Sequence, residues 1–162
     1  MKLSPLVKGL ITATVMIGFS LIAYYFIPEQ SPLHWLVFGI YALGIIWTLL
    51  AYKQSRSFTG KFGDSFNTGF RCFIVATLLM VLYTFTFIKM HPEFAQEAAK
   101  QYKEQELKVK NTSKTPDQIE AEAIRYKNGY ALAKVYGSIF GYLIIGVGVT
   151  AVLSALLTTR RL

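Results

Sequence analysis

The sequence predicts an all-α integral membrane protein: four transmembrane helices, with an extramembrane helical hairpin between spans three and four. Three observations predict it. The 162-residue chain is 53% hydrophobic and 15% aromatic but only 16% charged, against about a quarter charged in an ordinary soluble domain, and its mean hydropathy is +0.39. The missing charge is not spread evenly. Four windows, residues 9–27, 35–52, 71–90 and 135–158, hold almost none of it, and each is close to the ~20 residues that carry a helix across a bilayer's hydrocarbon core. Between the third and fourth lies residues 91–134, the one long polar stretch, with most of the nine acidic residues. The whole chain, 1–162, reads as a single membrane domain.

The formal charge of +8 would suggest nucleic acid in a soluble protein. Here the basic residues flank apolar spans, which is the arrangement that sets membrane topology, so nucleic acid is not an expected partner. The single cysteine, Cys72, excludes an intrachain disulfide and a thiolate metal cluster. One turn inside a span, it is expected to pack as a small apolar side chain.

Span one follows Lys2 and Lys8. A basic start before an apolar run also describes a signal peptide, but the Tyr24-Tyr25-Phe26-Ile27-Pro28 region lacks the small residues a signal peptidase needs. The span is therefore expected to be retained. Pro28 to Pro32 (PEQSP) contains no Lys or Arg, and proline at both ends stops one helix and starts the next. So short a loop joins antiparallel neighbours. Span two is bracketed by Trp35 at one interface and by Trp47 and Tyr52 at the other.

The second loop carries Lys53, Arg56 and Lys61, with Arg71 just inside span three. Asp64 or Ser65 is expected to cap the helix that follows. Phe62, Phe66, Phe70 and Phe73 recur at helical spacing and suggest an interfacial turn anchored in lipid. Span four carries the most informative pattern. Gly137, Gly141, Gly148, Ala151 and Ala155 fall along one helical face, and small residues let two helix backbones approach closely. That face suits either another span of the same chain, the more frequent case in a four-helix bundle, or a second copy.

With the N-terminus inside, Lys2, Lys8, Lys53, Arg56, Lys61, Arg71, Arg160 and Arg161 all fall on the cytoplasmic side. Both termini are then cytoplasmic and the polar segment is outside. Within that segment, Pro92 suits a first helical turn, with Glu93 and Glu97 near its positive end. Glu104 with Lys108 and Glu106 with Lys110 have the favourable i, i+4 order. The apolar face is thin, formed by Phe94, Ala98, Tyr102 and Val109. Asn111-Thr112-Ser113-Lys114 reads as a turn; Asn111-Thr112-Ser113 also matches a glycosylation sequon, a triplet frequent by chance. Thr115, Pro116 and Gln118 then form a capping box. Ile119, Ala123, Tyr126, Tyr130 and Ala133 share one face of the second helix. Asn128-Gly129 is expected to kink or break it before span four.

Four spans, the loop GKFGDSFNTGFRCF before the third, and a charged Pro-Glu-Phe hairpin ahead of a glycine-rich fourth span resemble the bacterial membrane family catalogued as domain of unknown function 4199. The resemblance covers nearly the whole chain. It implies a bacterial inner (plasma) membrane location and brings no activity, cofactor or catalytic residue with it.

No Asp or Glu lies deep in the four windows, where ionisable groups usually mark ion or proton pathways. Lys8, Arg71 and Lys134 sit near span ends, positioned to snorkel. Thr12, Thr14, Ser20, Thr48, Thr77, Thr84 and Thr86 are expected to bond back to their own helices. His34 and His91, near Glu29 and Glu93, are the one set that suggests zinc, a weak signal that rests on helix adjacency. No nucleophile–base pair, phosphate loop or redox motif appears. The sequence therefore predicts no catalytic, cofactor-binding or metal-binding residues. Its expected role is non-enzymatic, structural or interactive, through the extracytoplasmic hairpin. The alternative is a small transporter or channel subunit that oligomerises through Gly137, Gly141, Gly148, Ala151 and Ala155. The expected partners are the lipid bilayer and either a second copy or another membrane protein.

Overall fold

Five α-helices and one short 3-10 turn account for nearly all of the residues that the computed structural model describes, which are 3–28, 31–108 and 114–159. Helix α1 spans Pro5–Phe26, and the 3-10 turn spans Pro32–Trp35. Helices α2, α3, α4 and α5 span Leu36–Lys53, Phe62–Met90, Glu93–Lys108 and Pro116–Thr159. Local chemistry sets the boundaries. The Ser4 hydroxyl accepts from the Val7 N–H at 3.3 Å with Pro5 in the first turn, as an N-cap should. Helix α1 ends where Ile27 turns extended ahead of Pro28, because proline disfavours the helical region for the residue before it. Ser31 caps the 3-10 turn through Leu33 N–H at 3.3 Å.

Helix α3 starts at Phe62, earlier than the capping residues predict. Asp64 and Ser65 lie inside its first turn and do not cap it. Gly60 takes φ 70°, a region open to glycine. Beside it the Thr59 hydroxyl accepts from the Lys61 N–H at 3.2 Å and donates to the Asp64 carboxylate at 2.6 Å. Helix α5 is unbroken for 44 residues, so the break expected at Asn128-Gly129 does not occur. Both residues are exposed, and nothing stands within 4 Å of an added Gly129 Cβ. The roughly 1 kcal/mol that an interior glycine costs a helix is absorbed by the good helix formers on either side.

The chain divides into two compact units: Met1–Val81 with Ile139–Leu162, and Leu82–Ser138. The first is an up–down–up–down bundle of α1, α2, the start of α3 and the end of α5. Its contacts use small residues. Thr12 of α1 fills the space over Gly44 of α2, and an added Cβ at Gly9 would lie 2.5 Å from the Cys72 carbonyl oxygen of α3. Helices α3 and α5 run antiparallel in steps of one turn. Thr150 packs on Gly69, the Phe73 ring packs on Gly146, and the Tyr41 hydroxyl ties Thr77 to Tyr142. Lipid is as apolar as leucine, so this close packing and its hydrogen bonds hold the spans together, more than the hydrophobic effect does.

Tyr41 is the hub of that unit and is fully buried. Its hydroxyl lies 2.8 Å from Thr77 Oγ1, 3.2 Å from the Tyr142 carbonyl oxygen and 3.4 Å from the Phe73 carbonyl oxygen. A hydroxyl that both donates and accepts is satisfied there, as a buried one must be. Thr12, Thr14 and Thr48 donate to the carbonyls four residues back, as expected. Cys72 is buried and accepts from Thr48 Oγ1 at 3.2 Å.

The second unit holds the end of α3, helix α4 and the first part of α5. Helix α4 buries no residue, whereas Ile119 and Ala123 of α5 are buried. One large apolar side chain contributes about 1.5–3 kcal/mol, so polar contacts carry much of this hairpin's order.

Candidate functional site

The hairpin is built from its caps inward. Thr115 and Gln118 form the reciprocal capping box: Thr115 N–H donates to Gln118 Oε1 at 2.9 Å, and Gln118 N–H donates to Thr115 Oγ1 at 3.4 Å. That fixes the start of α5 and brings Lys114 back over α4. Its ammonium lies 2.6 Å from the Glu122 carboxylate, 3.4 Å from Glu106 and 3.3 Å from the Tyr102 hydroxyl. Tyr102 donates to the same Glu122 oxygen at 2.6 Å and stacks on Tyr126 with ring centroids 5.4 Å apart. Lys103 and Glu120 close a second ion pair between the two helices. Glu106 is thus paired with Lys114; Lys110, Val109 and Asn111-Thr112-Ser113 lie outside the described residues.

The cluster shifts its own titrations. The hydrogen bond to Glu122, and then the one to Tyr102, raises the Lys114 ammonium above the ordinary lysine value. Lys114, and then Tyr102, holds the Glu122 carboxyl below the usual carboxylate range. Donation to the Glu122 carboxylate pushes the Tyr102 phenol up. Outside this network the hairpin displays Leu107, 60% exposed, and Ile124, 54% exposed.

The five small residues of span four lie elsewhere. Gly137 and Gly148 are exposed, with nothing within 4 Å of an added Cβ. Gly141 and Ala151 are half-buried, an added Cβ at Gly141 lying 3.9 Å from the Phe38 ring, and Ala155 is exposed. The buried face of α5 in the first unit is Tyr142, Gly146, Thr150, Ser154 and Leu157. Gly146 and Gly148 are two positions apart, or roughly 200° around a helix. A stripe drawn through Gly148 therefore excludes Gly146. Polar Thr150 and Ser154 gave no sequence signal for a core face.

His34 Nε2 donates to the Pro28 carbonyl oxygen at 3.1 Å, and His91 Nδ1 donates to the Phe87 carbonyl oxygen at 2.9 Å. Facing a carbonyl oxygen, each of those ring nitrogens must carry the proton. His91 also stacks on Phe87, centroids 4.3 Å apart. Glu29 lies outside the described residues. Among the described residues no three His, Cys, Asp or Glu side chains converge on a metal position.

Lys8 is the residue whose place the sequence missed. It sits in the first turn of α1 and is 8% exposed, its ammonium 5.3 Å from the Trp47 ring centroid, a contact across to α2 that the sequence did not reveal. The available signal was Ser4-Pro5, a cap and first-turn pair that starts the helix ahead of Lys8.

All-helical architecture among the described residues, with four helices long and apolar enough to cross a membrane, defines a multi-pass membrane protein. The chain belongs to the family described as "Protein of unknown function (DUF4199)", whose model matches residues 7–159. A search of curated proteins and one of solved structures each found no match.

Proposed function

We propose that this chain is a non-enzymatic protein of a bacterial inner membrane whose helical hairpin is its interaction element, held outside the cytoplasm while both termini lie within it. One observation carries the reading. Lys114, Glu122, Glu106 and Tyr102 satisfy one another inside the hairpin, while Leu107 and Ile124 stay exposed on it. Internally satisfied charge fixes a shape, and exposed apolar side chains on a polar element are what partners cover. The partner is a second copy or another membrane protein. The orientation rests on the basic residues 53, 56, 61 and 71 near one end of the spans.

Replacing residues 92–127 by a short flexible linker tests the role. The shortened protein is expected to insert and to fail to restore the phenotype of a deletion strain; full restoration rules the hairpin out. Orientation is tested in a Cys72→Ala background with a membrane-impermeant maleimide. A cysteine at Gln101 is expected to label in intact cells and one at Ser57 only after permeabilisation, and the reverse pattern inverts the topology.

A second reading rests on the openness of Gly137 and Gly148, which suits a transporter or channel subunit that oligomerises through span four. Gly141→Leu would then dissociate the oligomer, and a strictly monomeric wild-type protein in mild detergent eliminates this reading.

A further inference from the structure

A cavity of about 430 Å³ opens in the bundle unit, lined by Leu3, Pro5 and Lys8 of the N-terminal segment and α1, by residues at the end of α2 and in the loop after it, and by Thr68 of α3. Its walls divide chemically. Leu3, Pro5, Trp47 and Ala51 are apolar, whereas Thr48, Tyr52, Gln54, Ser55, Ser57 and Thr68 bring hydroxyl or amide groups. Among the described lining residues Lys8 is the one that carries a charge, and none is a carboxylate.

Lys8 is 8% exposed as a residue; its stem is packed away while its ammonium keeps solvent contact in the cavity, with no hydrogen bond or ion pair among the described residues. The Trp47 ring, 5.3 Å away, supplies a cation–π contact on one side. An ammonium has three donors, and one held against protein on several sides attracts a counter-charge more strongly than one in open water. Most hydroxyls around the cavity are already turned to the protein: Thr48 to Gly44, Thr68 to Asp64, Tyr52 to the Ser57 carbonyl, and Ser55 and Ser57 to each other. None of these neutralises a charge. An anion with several acceptor oxygens matches the cation and donors that line the cavity.

The surroundings favour the same ligand. The cavity adjoins the first turn of α1, the positive end of that helix dipole. Lys53, Arg56, Lys61 and Arg71 lie on the adjoining helix end, loop and α3, opposed in residues 31–81 by the single carboxylate of Asp64. An excess of basic residues on the segments that form the cavity raises the local concentration of anions.

We propose that this cavity binds a phosphate group, with Lys8 as its cationic anchor, Gln54 and the one hydroxyl of the Ser55–Ser57 pair that does not donate within it as further donors, and Trp47 and Ala51 accommodating any apolar portion attached to it. A phospholipid headgroup and free inorganic phosphate present the same chemistry, and one experiment separates them. The proposal is independent of the hairpin's role.

The full-length protein, carrying Trp35→Phe so that Trp47 is the only tryptophan, is held in neutral detergent. It is titrated with inorganic phosphate, short-chain phosphatidylglycerol and short-chain phosphatidylcholine while Trp47 fluorescence is read. Saturation by inorganic phosphate identifies the free anion. Saturation by phosphatidylglycerol with no response to inorganic phosphate identifies the headgroup. Either outcome is expected to weaken by about tenfold or more in Lys8→Met, the scale of a lost charge-assisted contact, and to persist in Lys8→Arg. Thr68→Glu leaves Lys8 in place, keeps the test available if Lys8→Met fails to fold, and is expected to abolish binding through repulsion at the cavity wall. Equal responses to phosphatidylglycerol and phosphatidylcholine with none to phosphate overturn the proposal, as does wild-type affinity in Lys8→Met or Thr68→Glu.

Discussion

The ring of Phe73 occupies the space that Gly146 leaves by having no side chain. A Cβ added at Gly146 would stand 2.8 Å from that ring and 2.5 Å from the Tyr41 hydroxyl oxygen. Phe73 and Tyr41 are both fully buried, so neither has free room to give.

Gly146→Ala is accordingly expected to destabilise the bundle by about 1–3 kcal/mol, the usual cost of overpacking a tight core. Gly148→Ala, two residues on and facing open space, is expected to leave stability unchanged or raise it slightly through helix propensity. Thermal unfolding of both variants in one detergent checks this. Equal effects at the two positions would refute the assignment of the α5 contact face.

Among the described residues, three buried hydroxyls, Ser65, Thr150 and Ser154, have no hydrogen-bond partner. Thr77 differs, being bonded to Tyr41 at 2.8 Å. Replacing an unpaired buried hydroxyl by an apolar group of similar shape removes a desolvation cost. Thr150→Val and Ser154→Ala should therefore match or exceed wild-type stability, while Thr77→Val should lose about 1 kcal/mol. A lower melting temperature for Thr150→Val than for Thr77→Val would contradict this ordering.

The span pattern was readable because apolar length and its punctuation are local properties. Pro28, Pro32 and the Thr115-Pro116-Gln118 box act within a few residues, and the structure carries out each of them. What was not readable depends on rotation about a helix axis and on partners distant in sequence. Lys8 looks like a flanking charge until α2 brings Trp47 over it. Tyr41 looks like any aromatic residue in a span until Thr77 and Tyr142 converge on its hydroxyl. The hairpin was expected from composition, but its main ion pairs join residues eight and seventeen apart, beyond the reach of an i, i+4 rule.

The Lys114 cluster makes hairpin order depend on pH at both ends. Glu122 has a depressed folded value, so its contribution is present above the unfolded carboxylate value and is lost as pH falls through the folded one. Lys114 has a raised folded value, so its contribution is present below the unfolded lysine value and is lost as pH rises through the folded one. Spin labels at Gln101 and Arg125 should give the narrowest distance distribution near neutral pH and broaden towards acid and towards alkali. Lys114→Met should broaden it at neutral pH. The partners are partly exposed, so added salt should weaken the effect. A distribution unchanged by pH and by Lys114→Met would remove the cluster as the source of order.

The interaction role of the hairpin is tested most directly by photo-crosslinking in native membranes, with a photoreactive phenylalanine analogue at Leu107, at Ile124 and, as a lipid-facing control, at Leu82, which is 61% exposed. The account predicts the same discrete protein adduct from positions 107 and 124, diminished by Lys114→Met, and no protein adduct from position 82. Lipid adducts alone at all three positions, or an adduct at 107 and 124 that persists undiminished in Lys114→Met, would contradict it.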